Sequence, residues 1–240
     1  MYVFCPSCHG TNIKKNGRTH YGKQNHQCKC CGRQFVRNNQ HTKSGYLKAL
    51  VKKSLKERLS LRAICRIFGV SLNWLQSFAH CLWEETPKDL GLSSALLKQI
   101  KNLQVFGIQA DELWSFVEKK AKKRWIWVAY DPVHRLVIAH HIGGRGKRAA
   151  KKFWKKIPAI LRSCYFETDN WEAYRSIIPV EQHKVGKDLT FYIEGFNATI
   201  RARVSRLVRK TLSFSKKDKW HQKAIAWFFW QFNLERQPYF

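Results

Sequence analysis

Two cysteine pairs near the start of the chain, Cys5-Pro-Ser-Cys8 and Cys28-Lys-Cys-Cys31, constrain the fold most. Their spacing is Cys-x2-Cys-x19-Cys-x2-Cys, with Gly10 and Gly32 placed after each pair. A two-residue gap lets both thiolates turn toward one ion, a glycine permits the tight turn, and four soft sulfurs at tetrahedral corners suit Zn²⁺. Residues 1–40 are otherwise polar and carry too few large apolar side chains to form a core unaided, so something must cross-link them. Two disulfides, or reduced core thiols, are the other readings. A reducing compartment argues against the first, and the lack of a local core against the second. Cys30 could replace a neighbour as ligand, although the matched spacing favours Cys28 and Cys31. Four protein ligands leave no open position, which makes such a zinc structural. Cys65, Cys81 and Cys164 lie in apolar stretches and read as core residues.

Charge narrows the partners. The 240 residues hold 45 Lys+Arg against 16 Asp+Glu, a formal net charge of +29. A folded chain so basic repels itself unless a polyanion neutralises it, and nucleic acid is the polyanion that most often selects this balance; solubility alone or an anionic membrane surface are the plainer alternatives. A hydrophobic fraction of 44% is enough for a real core. No apolar run approaches the roughly 18 residues that cross a bilayer. The N-terminal MYVFCPSCHG lacks the plan of a signal peptide. The expectation is a soluble protein in the cytoplasm, associated with the nucleoid and with no membrane partner.

The expected class is α/β and multi-domain. Residues 1–41 form a zinc ribbon and 42–86 a helix-turn-helix region. Residues 87–103 are a connector that could be partly helical, and 104–240 form a mixed sheet flanked by helices. In the second block Leu61, Ile64, Cys65 and Phe68 make one apolar stripe, Gly69 breaks the pattern, and Ser71 can cap a helix carrying Leu72, Leu75, Phe78 and Ala79. Helix, glycine turn, helix is the helix-turn-helix plan. Asn73, Gln76 and Ser77 are then the side chains placed to face a major groove, with a purely structural helix pair as the alternative. In the last block LQVFGIQADELWSFV, RWIWVAYD and LVIAHHIG read as three strands, with KKAKK and DPVHR as turns. The helical RAAKKFWKKIPAIL and a fourth strand SCYFETD follow. Trp125, Trp127 and the cluster Trp227, Phe228, Phe229 and Trp230 read as core.

With acids this scarce, each carboxylate can be weighed. Asp111 lies in the first of these strands, Asp169 at the end of the fourth, and Glu194 on the helical FYIEGFNATIRARVSRLVRK. Glu112 faces away from Asp111, Asp131 sits in an Asp-Pro turn, and Glu118 and Glu181 lie in loops. Asp169 in FETDNWEAY also fits a helix-start pair with Glu172. If the first and fourth strands are neighbours, Asp111 and Asp169 converge, and a helix packed at that edge can bring in Glu194. Three crowded carboxylates repel unless a divalent ion neutralises them, and oxygen ligands suit Mg²⁺ or Mn²⁺. Two ions about 4 Å apart would serve phosphodiester chemistry by activating an attacking oxygen and stabilising the leaving one. Arg201, two turns beyond Glu194, shares its helical face. Arg203, Arg206, Arg209 and Lys210 continue a basic side. Trp171 could stack on a base or seat the loop after Asp169, with plain packing as the simpler role.

Together these residues resemble the DDE transposases of the insertion-sequence-one group of bacterial mobile elements. The resemblance covers essentially the whole chain. It rests on the ribbon ending HQCKCCGRQF, the helix-turn-helix, DELW at 111–114, RWIWVAYD, TDNWEAY at 168–174 and HKVGKDLTFYIEGFNATIRARVSRLVRKTLSFSK. It implies an RNase H-like catalytic domain with Asp111, Asp169 and Glu194 as metal ligands and Arg201 as the basic residue after the glutamate. The 24 residues between Asp169 and Glu194 match the short second interval of the family. The implied partners are DNA, with Lys187, Arg203, Arg206 and Arg209 among the contacts, and further copies of the chain in a dimer or larger assembly. The implied activity is nicking at transposon ends to free 3′-hydroxyls and joining them to target DNA, with the N-terminal modules reading the terminal inverted repeats. Where many relatives have Glu-Arg-x-Asn, this chain has Glu194-Gly195-Phe196-Asn197. Two other readings use the same residues: a DNA-binding regulator or domesticated transposase that does not cut, and an RNase H-type nuclease.

Overall fold

The structure, a computed structural model, describes residues 3–37, 43–208 and 212–237. It divides into two compact units, 1–49 and 50–240. The first holds a three-stranded antiparallel sheet, β1 (Ile13–Arg18), β2 (Gln24–Cys28) and β3 (Gln34–Val36), in the order β1-β2-β3. Helix α1 (Gly45–Ser54) spans the division.

In the second unit α2 (Leu61–Phe68) and α3 (Leu72–Glu84) are joined through Gly69, which adopts the left-handed conformation at φ 58°. Each helix starts at a serine whose hydroxyl accepts from the backbone N–H three residues ahead, Ser60 from Ala63 and Ser71 from Trp74. Such caps satisfy donors that the first turn leaves unpaired. Helix α4 (Ser94–Asn102) is capped by Ser93 in the same way.

The sheet of this unit comprises β4 (Ile108–Val117), β5 (Lys119–Asp131), β6 (Leu136–Gly143), β7 (Phe166–Thr168) and β8 (His183–Val185), in the order β6-β5-β4-β7-β8. The β4–β5 and β5–β6 pairs are antiparallel, and β4–β7 and β7–β8 are parallel. Helices α5 (Lys147–Lys156) and α6 (Glu172–Arg175) lie between β6 and β8 in sequence, followed by α7 (Phe191–Arg203) and α8 (Asp218–Arg236). The strands are largely buried on both faces, as a helix-covered sheet requires. One face packs Trp127, Ile138, Phe153, Phe166 and Tyr174; the other packs Val128, Tyr130, Ile193, Phe196, Phe229 and Phe232. A third cluster joins Ala79, Leu82 and Trp83 of α3 to Ala224 and Trp227 of α8.

Three local expectations change. The KKAKK segment is not a turn: Lys119–Lys123 begin β5, and the reversal is made by Glu118 alone at φ 67°. Cys81 is exposed, whereas Cys164 is buried as expected of a core thiol. The helix carrying Glu194 stops at Arg203; Val204 is extended and a short 3-10 turn covers Ser205–Leu207. Among the described residues no helix is long and apolar enough to cross a membrane.

The second unit contains a titratable group that makes its stability pH-dependent. His221 of α8 is fully buried, with Nδ1 3.1 Å from Ser215 Oγ and Nε2 3.2 Å from Ser115 Oγ. Burial first, and the Arg206 charge second, push its pKa down to about 3. The unfolded chain then binds more protons than the folded one between the ordinary imidazole value near 6.5 and that lower value. This contribution to stability is present above about pH 6.5 and is lost as the pH falls toward 3. A His221→Gln chain is expected to show a flatter loss of stability over that window, by several kcal/mol at its acid end, in denaturant midpoints measured at stepped pH. Parallel curves for the two chains would overturn the assignment.

Candidate active site

Strand β4 presents alternate residues to its two faces. Gln109, Asp111 and Leu113 face the layer of α7, whereas Ile108, Ala110 and Glu112 face the layer of α5 and α6. Gln109 anchors α7: its Oε1 accepts from the Ile193 N–H at 2.8 Å and its Nε2 donates to the Leu189 carbonyl at 2.5 Å. Two residues on, Asp111 Oδ2 accepts from Asn197 Nδ2 at 2.6 Å. Two strand residues advance roughly 6.6 Å and the four helix residues from Ile193 to Asn197 roughly 6 Å, so α7 runs along β4 in step. Glu194 stands at the start of this stretch, and Thr190 Oγ1 lies 3.1 Å from its Oε1.

Asp169 reaches the same place through the sheet. The parallel register pairs Ile108 with Phe166 and Ala110 with Thr168. One residue further come Asp111 on β4 and Asp169 just past the end of β7, where neighbouring strands lie about 4.8 Å apart. Asp169 Oδ1 accepts from the Trp171 N–H at 3.1 Å, a turn that precedes α6. The expected capping pair is not formed, since Glu172 turns away to pair with Lys147 at 2.8 Å. The charges converge: Asp111 is pushed above the ordinary carboxylate value, by burial first and then by Asp169 and Glu194, with the Glu112 N–H and the Asn197 amide opposing. Asp111 and Asp169 are half-buried and Glu194 is exposed, so the centre opens to solvent on the α7 side.

The donor set fits a divalent ion. It offers three carboxylates whose mutual repulsion a hard cation would relieve, and each is steadied by a neighbour: Asn197, the Trp171 N–H and Thr190. The carboxylates stand further apart than the cysteines of the first unit. Among the described residues Cys5, Cys8, Cys28 and Cys31 alone form a group whose ligand atoms all lie within 4.8 Å of one another. Cys5 and Cys31 sulfurs are 3.5 Å apart, as are those of Cys8 and Cys28, close to the roughly 3.8 Å edge of a zinc–sulfur tetrahedron. All eight cysteines are free, and Cys30 stands outside the four. The Cys31 and Cys30 N–H groups hold Cys28 down to about 6, which favours the thiolate that a metal requires. The left-handed residues of the two knuckles are His9 at φ 57° and Gly32 at φ 74°. Gly10 serves by close approach instead, because a Cβ there would lie 3.2 Å from Cys30 Sγ and 3.3 Å from Cys8 Sγ.

The remaining expected contacts are dispersed. Asn73, Gln76 and Ser77 are exposed along α3, opposite the buried Leu75 and Ala79. Lys187 is exposed. Arg201 donates to the Leu207 carbonyl at 3.3 Å, tying the end of α7 to the turn that follows. Arg203 pairs with Glu235 at 3.0 Å and Glu57 at 3.1 Å. Arg206 donates to Ser215 Oγ at 2.8 Å and lies 5.0 Å over the Trp83 ring, and burial pushes its pKa down to about 10. Both arginines are therefore committed to partners within the fold. Arg209 and Lys210 lie outside the described residues.

Sequence reading missed Arg145. Its guanidinium sits between two indoles, 4.4 Å from the Trp125 ring centre and 4.3 Å from that of Trp171, and pairs with Glu112 at 3.2 Å. Burial pushes Glu112 up to about 7. Trp171 is thus a packing residue, and through Arg145 it joins the loop after Asp169 to the strand that carries Asp111. Gly195 lies on the exposed side of α7, where an added Cβ meets nothing within 4 Å. Gly195→Ala is expected to raise stability by roughly 0.5–1 kcal/mol, because glycine weakens a helix interior by about that amount. An unchanged or lowered unfolding midpoint would contradict this.

A mixed sheet that brings an aspartate from each of two parallel neighbours beside a helical glutamate defines a carboxylate-centred α/β domain. Residues 105–234 match the sequence profile of the IS1 transposases. The InsB protein of insertion element iso-IS1n from Shigella dysenteriae is 34% identical over 120 residues, covering 50% of this chain and 91% of the relative. IS1 InsB from Shigella flexneri is 35% identical over 118 residues, covering 49% and 89%. IS1 4 InsB from Escherichia coli K12 is 33% identical over 118 residues, covering 49% and 70%. The chain belongs to the IS1 transposase family.

Proposed function

We propose that this chain is a DNA transposase that binds the terminal inverted repeats of its element, cleaves at the ends to expose 3′-hydroxyls and joins them to target DNA by transesterification. The convergence of Asp111 and Asp169, set side by side by the β4–β7 register, with Glu194 on α7 carries this reading. The strand order, three antiparallel strands followed by two parallel ones, supports an RNase H-like domain.

Asp111, Asp169 and Glu194 would hold one or two Mg²⁺ or Mn²⁺ ions, which supply activation of the attacking oxygen and stabilisation of the leaving one. In the first reaction water breaks the phosphodiester at the element's end, leaving a 3′-hydroxyl and a 5′-phosphate. In the second that 3′-oxygen attacks a target phosphorus and displaces the target's 3′-oxygen, so one phosphodiester forms as one breaks. Asn197 holds Asp111 in place, the Trp171 N–H holds Asp169, and Thr190 steadies Glu194. Arg201 on the same helix and the exposed Lys187 would contact phosphates. Asn73, Gln76 and Ser77 would read base edges, and a zinc ribbon held by Cys5, Cys8, Cys28 and Cys31 would share in recognising the ends. Joining two ends calls for a dimer or larger assembly.

The test is incubation of the full chain with Mg²⁺, a labelled duplex from the DNA flanking its gene, and a target plasmid. Nicking at the repeat end followed by label joined covalently to the plasmid is the expected result. Specific binding without cleavage would instead make the chain a DNA-binding regulator.

A further inference from the structure

We infer that the outer face of α5 is a track for the phosphate backbone of duplex DNA, lying beside the candidate active site. The inference rests on DNA being the substrate.

Lys147, Arg148, Lys151, Lys152 and Lys155 are exposed, and Lys156 keeps an exposed surface although partial burial pushes its pKa down, while Ala149, Ala150 and Phe153 between them are buried in the core. The cations fall at i, i+1, i+4, i+5, i+8 and i+9, which makes two parallel rows on one face. The buried side fixes the helix, so the rows are held rigidly toward solvent.

This helix is built against its own electrostatics. Lys147 and Lys151, Lys151 and Lys155, Arg148 and Lys152, and Lys152 and Lys156 are like-charged neighbours one turn apart, each pair destabilising. Two cations occupy the first turn, where the helix dipole favours anions, and that turn contains no acidic residue. Among the described residues only Lys147 of the six has an acidic partner, Glu172. A face that merely stays solvated is served by mixed signs; unrelieved single-sign charge suits a polyanion.

Length and position select the duplex. From Lys147 to Lys156 the helix rises roughly 13–14 Å. Over that distance a DNA duplex presents about eight phosphates. The rows begin beside the loop that follows Asp169, on the sheet face opposite α7: Arg145, just before α5, holds Trp171, and Lys147 pairs with Glu172, three residues after Asp169. At their far end Lys152, Lys155 and Lys156 line a cavity of about 440 Å³ together with His140, His141 and Gln222. A duplex that passes from the carboxylates over the loop after Asp169 and onto α5 would meet no acidic residue of that helix.

The test compares the full wild-type chain with a Lys151→Gln, Lys152→Gln, Lys155→Gln, Lys156→Gln variant. Binding to the flanking-repeat duplex and to an unrelated duplex is measured across a salt series. Loss of four phosphate contacts is expected to flatten the slope of log K against log salt by about three to four. Both duplexes should weaken together, so their affinity ratio stays constant, and the same four positions changed to arginine should restore the wild-type slope. Should the fourfold variant not fold, the pairs Lys151→Gln, Lys155→Gln and Lys152→Gln, Lys156→Gln are each expected to give about half the change. A slope unchanged in the glutamine variants while the wild type binds DNA would overturn the track alone. A wild-type chain that binds neither duplex would overturn the DNA-substrate reading with it.

Discussion

Asp169→Asn is expected to lower Mg²⁺-dependent cleavage and strand transfer by at least about a thousandfold while leaving end binding within a few-fold of the wild type. A bound divalent ion contributes several kcal/mol to such a transition state, and each 1.4 kcal/mol is about tenfold in rate. The asparagine keeps the shape of the side chain and its acceptor for the Trp171 N–H, so the turn before α6 stays in place. What it removes is the charge that Asp111 senses from the neighbouring strand. Single-turnover assays with an end duplex read the chemistry, and gel-shift or anisotropy titrations of the same protein read binding. Normal strand transfer by the variant would remove Asp169 from the site. A parallel loss of binding and chemistry would make its role structural.

Loss of metal from the N-terminal cysteines carries the second large effect. The unit 1–49 holds three short strands, and Cys5 and Cys28 are its two buried hydrophobic residues among those described. Structural zinc contributes on the order of 10–16 kcal/mol to small domains of this kind, far more than so small an apolar interior supplies. Chelation, or Cys28→Ser, is expected to unfold the segment around β1–β3, seen as fast amide exchange and early proteolysis there, while β4–β7 stay protected. Specific end binding should fall with it, and Cys30→Ser should change little. Verified metal loss with unchanged exchange and unchanged end binding would refute both roles.

Legibility from the sequence followed the range of the interactions. The cysteine spacing is local chemistry, and the same four sulfurs gather in the structure. The glycine turn with Ser71 as cap is local too, and it forms. The β4–β7 pairing is long-range: the sequence offers it only as a condition for Asp111 and Asp169 to converge, and the parallel register supplies it. Long-range polar contacts left little trace. Arg145 stands in a plain Gly-Gly-Arg-Gly-Lys loop, and nothing nearby in sequence announces two tryptophans and a buried glutamate as its partners. Gln109 was the better clue, a polar residue inside an apolar strand, where burial demands a hydrogen-bonding task. The end of α7 at Arg203 has no glycine or proline to mark it. Buried Leu207 and the pairing of Arg203 with Glu57 and Glu235 decide it through tertiary contacts. The periodic basic side expected along this segment therefore gives way to two arginines turned inward, whereas α5, expected as a helix but not as a basic face, displays its cations outward.

The carboxylate centre can be tested without reference to catalysis. With Fe²⁺ replacing Mg²⁺ in the full chain, ascorbate and peroxide generate hydroxyl radicals at the bound metal, and these cut the nearest backbone. Fragments ending close to positions 111, 169 and 194, suppressed by excess Mg²⁺ and absent from the Asp111→Asn, Asp169→Asn double variant, are the predicted result. Cuts confined to other parts of the chain, or fragments that persist in the double variant, would contradict the assignment of Asp111, Asp169 and Glu194 to one metal centre.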